Sequence, residues 1–217
     1  MIFRFCVVFF GLSLTFSHFV QADSQDEYEL LDRIGSGNSE AGKIKSREEL
    51  CQGCHGEIGN SSSAEYPRLA GQYADYIIKQ FRDFRSGARQ HHVMNAVASS
   101  ISDEDLTDIA AYFASRERVR AQQRKAIEVA EKIYSNGDMR RALIACSSCH
   151  GSSGQGSYAG EESVPTIGGQ HKLYLREQLL KWRSGDRANS PGGVMNMVAK
   201  LLKDEEIEAL AEYISSM

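Results

Sequence analysis

Cys51-Gln52-Gly53-Cys54-His55 and Cys146-Ser147-Ser148-Cys149-His150 are two copies of one five-residue pattern, 95 residues apart. They take up four of the chain's 5 cysteines. A lone Cys-x-x-Cys also serves zinc sites and dithiol redox centres. An adjoining histidine in both copies reads instead as covalent attachment of haem. The two thiols form thioethers with the vinyl groups, and the histidine reaches the iron. The cofactor expectation is therefore two covalently bound haem c groups, held through Cys51, Cys54, Cys146 and Cys149, with His55 and His150 on the irons.

The likeness between the two halves extends well beyond the motifs. Pro67 answers Pro165, Gly71-Gln72 answers Gly169-Gln170, and Tyr76, Gln80, Arg85-Ser86-Gly87 and Arg89 answer Tyr174, Gln178, Arg183-Ser184-Gly185 and Arg187. Val93-Met94-Asn95 returns as Val194-Met195-Asn196, and Asp103-Glu104 as Asp204-Glu205. The offset steps from 95 to 98 before the prolines and to 101 before the methionines, which two three-residue insertions explain. A period this long marks a duplicated small domain rather than a solenoid.

Within each half the apolar spacing is helical. Helices are expected over 40–50 and, in the second half, 126–134, ahead of the haem motifs; an extra stretch, 135–145, separates the latter from its cysteines. A middle helix over 72–85 turns Tyr76, Ile77, Gln80, Phe81 and Phe84 inward and stops at Gly87, and its second copy ends at Gly185. The last helix opens at Ser102, an N-cap candidate, and buries Leu106, Ile109, Ala110 and Phe113; its copy buries Ile207, Leu210, Ala211 and Ile214. The fold class is all-α, two tandem lobes, each a small helical domain around one haem.

The N-terminus reads differently. Arg4 precedes an apolar run to Phe16, and Val20-Gln21-Ala22 resembles a cleavage site, so residues 1–22 are expected to be a signal peptide that removes Cys6. The alternative is a retained membrane anchor, for which the run is short. Lobe 1 is then expected over 23–115, an arginine-rich linker over 116–125, and lobe 2 over 126–217. Losing Arg4 leaves 24 basic against 29 acidic side chains, a net charge of −5. That balance argues against nucleic acid as a partner and suits a basic docking patch on a redox protein.

Taken together, these residues resemble the class I c-type cytochromes, and the tandem arrangement is similar to the dihaem cytochrome c4 family. The likeness covers essentially the whole mature chain and is strongest at Pro67-Arg68-Leu69-Ala70-Gly71-Gln72, Arg85-Ser86-Gly87 and Ser102-Asp103-Glu104-Asp105-Leu106. It implies six-coordinate iron with histidine on one side and methionine on the other. Met94 follows His55 by 39 residues and Met195 follows His150 by 45, the difference being the two insertions. Both are expected in loops between the middle and last helices. His91 and His92 are rivals as ligands, but their counterparts are Gly192 and Gly193; Met197 is a rival whose counterpart is Ala96. His171 is expected on the surface. The resemblance also implies that the Pro67 and Pro165 carbonyls accept a hydrogen bond from the ligating histidines.

The expected function is electron transfer by an exported, periplasmic protein, with no open iron position and hence no enzyme activity. The resemblance implies a quinol-oxidising complex as donor and a terminal oxidase as acceptor, with membrane association only through such partners. Two alternatives stand: a dihaem electron-accepting subunit of a dehydrogenase, such as a sulfide-oxidising flavocytochrome, and a dihaem peroxidase.

Overall fold

The computed structural model, which describes residues 31, 33–121, 123–158 and 163–217, builds one helical plan twice. The expected signal segment 1–22 lies outside the described residues. In lobe 1, α1 (Ser39–Glu48) leads to α2 (Cys51–His55), followed by α3 (Ala74–Ser86), α4 (His92–Ser100) and α5 (Asp103–Ala114). Lobe 2 repeats this as α6 (Glu128–Asn136), α7 (Ser147–His150), α8 (Lys172–Ser184), α9 (Val194–Lys200) and α10 (Asp204–Ser215).

The apolar stripes bury as their spacing predicts. Ile77, Phe81 and Phe84 of α3 meet Leu106, Ile109, Ala110 and Phe113 of α5 in one core. Leu175 of α8 meets Ile207, Leu210, Ala211 and Ile214 of α10 in the other, with Ala130, Ile133 and Tyr134 from α6. The first and last helices of lobe 1 touch at Gly42, where a Cβ would stand 1.9 Å from the Asp108 carbonyl oxygen. Ser102 caps α5, its hydroxyl accepting from the Asp105 N–H at 3.1 Å. Its lobe 2 counterpart, Lys203, has no such oxygen; there the Glu206 carboxylate reaches back to the Lys203 N–H at 2.9 Å. Gly87 and Gly185 end α3 and α8 with φ of +80° and +90°, as helix stops without a Cβ penalty should.

Both insertions have a visible form. The first becomes a two-stranded antiparallel ribbon, β1 (Ser157–Tyr158) and β2 (Ser163–Val164), between His150 and Pro165. The second becomes a 3₁₀ turn, Pro191–Gly193, leading into α9. The extra stretch ahead of Cys146 folds into a further 3₁₀ turn, Met139–Arg141, and Arg141 pins it to α10 with two bonds to Glu206 at 2.8 and 3.0 Å.

The lobes meet across a polar interface that repeats itself with the roles exchanged. Arg89 donates to Gln80 of its own lobe at 2.9 Å and to Tyr174 and Gln178 of the other at 2.9 and 3.0 Å. Arg187 donates to Gln178 at 2.7 Å, and across to Tyr76 and Gln80 at 3.2 and 2.9 Å. Both arginines are buried, so their charge-assisted bonds gain strength from the low local dielectric. His171, expected at the surface, is half-buried at the start of α8 and places Nε2 2.9 Å from the Ser61 hydroxyl of lobe 1. Past α5, Glu117 accepts from Asn60 of lobe 1 at 3.1 Å, and the Lys125 N–H donates to Ser216 of lobe 2 at 2.9 Å. Among the described residues no helix is long and apolar enough to cross a membrane.

Candidate haem centres

Each motif forms a single helical turn that ends on its histidine, followed by a glycine at positive φ, Gly56 (+85°) or Gly151 (+77°). In lobe 1 this turn leaves Cys51 half-buried against the core and Cys54 exposed; Cys146 and Cys149 divide the same way.

The histidines point inward and are buried. His55 Nδ1 lies 2.8 Å from the Pro67 carbonyl, and His150 Nδ1 lies 3.0 Å from the Pro165 carbonyl. A carbonyl only accepts, so each Nδ1 carries the proton and each Nε2 is left as a lone-pair donor. Burial pushes both imidazoles below their ordinary range, against the opposing pull of the proline carbonyls. Neutral imidazole with a bare Nε2 is the form that binds a metal.

The buried thiols also differ from those of a dithiol redox centre. Burial pushes the Cys51 and Cys146 thiols up to about 11, whereas dithiol redox centres depend on a lowered thiol pKa.

Met94 and Met195 lie within helices, not in the loops expected. Met94 is the third residue of α4 and Met195 the second of α9. The physical reason is local capping: Met94 N–H donates to His91 Nδ1 at 3.3 Å, and Met195 N–H to the Ser190 hydroxyl at 3.2 Å. The following asparagines then tie each helix to the turn after the middle helix. Asn95 donates to the Phe84 and Arg89 carbonyls at 2.5 and 3.0 Å, and Asn196 to those of Trp182 and Arg187 at 2.7 and 2.8 Å. Sequence reasoning gave the asparagines no role, although their recurrence beside each methionine marks them.

Met94 is half-buried and packs against the same core cluster as Cys51. Met195 is likewise half-buried, while its rival Met197 is 60% exposed. His91 serves as the cap of α4 and His92 is exposed. Arg85 and Arg183 are tied to the chain ahead of the last helix of their own lobe. Arg85 donates to the Ala98 and Ile101 carbonyls at 2.9 and 2.6 Å, and Arg183 to that of Leu202 at 3.3 Å.

Known proteins share this arrangement. The family model for "Cytochrome c" matches residues 130–217, and that for "Cytochrome C oxidase, cbb3-type, subunit III" matches residues 44–113. The chain is 35% identical over 184 residues to cytochrome c4 of Pseudomonas aeruginosa, spanning 84% of this chain and 90% of the relative. It is 38% identical over 175 residues to a thiosulfate dehydrogenase electron acceptor of Stutzerimonas stutzeri, spanning 77% and 78%. The crystal structure of reduced recombinant cytochrome c4 from Pseudomonas stutzeri superposes with a TM-score of 0.77 at 35% identity, covering 84% of this chain and all of that one.

Proposed function

The chain belongs to the cytochrome c4 family, electron carriers with two covalent haem c groups, and we propose which residues hold those groups and between which partners it works. Cys51 and Cys54 would attach one haem and Cys146 and Cys149 the other; His55 with Met94, and His150 with Met195, would ligate the irons. Lobe 1 is assigned to residues 23–115, the linker to 116–125 and lobe 2 to 126–217, after loss of residues 1–22 on export to the periplasm. The observation that carries the site assignment is the duplicated contact of a buried histidine Nδ1 with a proline carbonyl, at 2.8 and 3.0 Å.

The bound haem supplies one-electron exchange between ferrous and ferric iron. The protein's own part is to hold everything around that exchange still. The proline carbonyls fix each imidazole ring and increase its basicity. The asparagine ties hold the methionine helices against the middle helices. Methionine thioethers paired with these imidazoles would raise the potential and make the carrier relatively oxidising. Were each iron held by both its histidine and its methionine, no coordination site would be left for a substrate, which disfavours the peroxidase alternative.

The role supported first is transfer from a quinol-oxidising complex to a terminal oxidase, as the family resemblance implies. The match to a thiosulfate dehydrogenase electron acceptor favours a second reading, in which a dehydrogenase is the donor. Rapid mixing separates them. The first reading expects fast reduction by a quinol-oxidising complex and fast oxidation by a terminal oxidase. Fast reduction by thiosulfate dehydrogenase alone would assign the second. Intact mass of the exported protein tests the cleavage: an N-terminus at Met1 contradicts it.

A further inference from the structure

Gln72 and Gln170 reach out of their own lobes. Each follows a glycine at positive φ, Gly71 at +66° and Gly169 at +74°, and a Cβ on Gly169 would stand 2.2 Å from the Val119 carbonyl oxygen. The tight turns deliver both amides across the interface, where each makes two bonds to a single residue. Gln72 Oε1 accepts from the Thr166 N–H at 2.9 Å, and its Nε2 donates to the Thr166 carbonyl at 2.8 Å. Gln170 Oε1 accepts from the Arg68 N–H at 2.9 Å, and its Nε2 donates to the Arg68 carbonyl at 2.9 Å. Because a backbone N–H only donates and a carbonyl only accepts, both amide orientations are forced.

Thr166 and Arg68 directly follow Pro165 and Pro67. The Thr166 N–H therefore belongs to the same peptide group as the Pro165 carbonyl, which accepts from His150 Nδ1 at 3.0 Å. The Arg68 N–H shares its peptide group with the Pro67 carbonyl, which accepts from His55 Nδ1 at 2.8 Å. Two continuous chains result. One runs from His150 through the Pro165–Thr166 peptide to Gln72 of the other lobe; the other runs from His55 through the Pro67–Arg68 peptide to Gln170.

We infer that Gln72 and Gln170 are positioning residues that act across the interface, each tuning the iron-binding histidine of the opposite lobe through one shared peptide group. This rests on the axial assignment of His55 and His150 made above. A peptide whose N–H donates a hydrogen bond is more polarised, and its carbonyl accepts more strongly. A stronger acceptor at Nδ1 makes Nε2 a better donor to the metal, which favours ferric iron and lowers the potential. Gln72, Gln170 and Thr166 are all buried, so water does not substitute for either amide. Each lobe's potential thus depends on the other lobe being docked.

The test is a potentiometric titration of the full dihaem chain with the haems resolved by NMR, on Gln72→Met and Gln170→Met. Gln72→Met is expected to raise the potential of the lobe 2 haem and to move the His150 Nδ1–H resonance upfield, leaving lobe 1 unchanged. Gln170→Met is expected to do the same to the lobe 1 haem and His55. Gln72→Glu and Gln170→Glu retain an acceptor at the same place and should leave the opposite haem at or below its wild-type potential. They also serve if the methionine variants fail to fold, since a rise in the opposite haem's potential in either glutamate variant contradicts the inference. Equal shifts in both haems, a shift confined to the mutated lobe, or no shift in the methionine variants overturns it and leaves the glutamines as interface adhesive. The NMR spectrum of the unmutated protein is read first: the lack of an iron-ligated imidazole at His55 or His150 there fails the axial assignment and not the glutamine chain.

Discussion

Replacing Asn95 with alanine should loosen the methionine side of the lobe 1 site without touching the iron's ligands. The side chain makes three bonds: Nδ2 to the Phe84 and Arg89 carbonyls at 2.5 and 3.0 Å, and Oδ1 from the His91 N–H at 2.5 Å. At about 1 kcal/mol net for each, reduced because Asn95 is only half-buried and water replaces part of the loss, the cost is about 2–3 kcal/mol. Concentrated on the junction between α3 and α4, it raises the population with Met94 displaced by about 30- to 140-fold. Asn196 makes two such bonds to Trp182 and Arg187, so Asn196→Ala should cost about 1–2 kcal/mol, or about tenfold. The assay is the thioether-to-iron absorption band of the ferric protein followed with temperature. In Asn95→Ala half of that band should fade at a clearly lower temperature than in wild type, and in Asn196→Ala the shift should be smaller. An unchanged melting of the band in Asn95→Ala would refute the view that the asparagine holds the methionine helix in place.

Further outcomes follow from the packing and the charges. Gly42→Ala places a Cβ 1.9 Å from the Asp108 carbonyl and should lower the denaturant midpoint by about 1–3 kcal/mol of stability despite alanine's better helix propensity. Leu106→Ala, at a side chain 1% exposed, should cost about 3 kcal/mol in the same measurement. Glu212 is held down to about 2 by Lys125 and then by Lys172. Its folded pKa lies below its unfolded one, so its contribution is present above the unfolded value and is lost as pH falls from about 4.5 to about 2. Glu212→Gln should therefore flatten the acid limb of the stability profile in that interval, and an unchanged limb would contradict the pairing.

Much of this site was legible because its signals are local or repeat at fixed offsets. Cysteines and histidine occupy one helical turn, and the proline spacing needed only the insertion to agree between lobes. The helices were legible from apolar periodicity and from Ser102, Gly87 and Gly185. The methionine helices were not, since His91 is an uncommon cap and Ser190 acts across a 3₁₀ turn. The role of Gln72 and Gln170 was out of reach for a different reason. A bond between lobes leaves no trace in neighbouring residues, so the recurrence of Gly-Gln marked the position without stating its partner. His171 shows the same limit, reading as a surface residue until Ser61 of the other lobe meets it.

Two equivalent histidine–methionine irons in one chain are tested most directly by a potentiometric titration of the purified protein with a full spectrum at each step. The expectation is two one-electron transitions per chain, both relatively oxidising, with the thioether-to-iron band lost by half in Met94→Ala and by half in Met195→Ala. A band left intact by either substitution, or a low-potential bis-histidine spectrum, would contradict it.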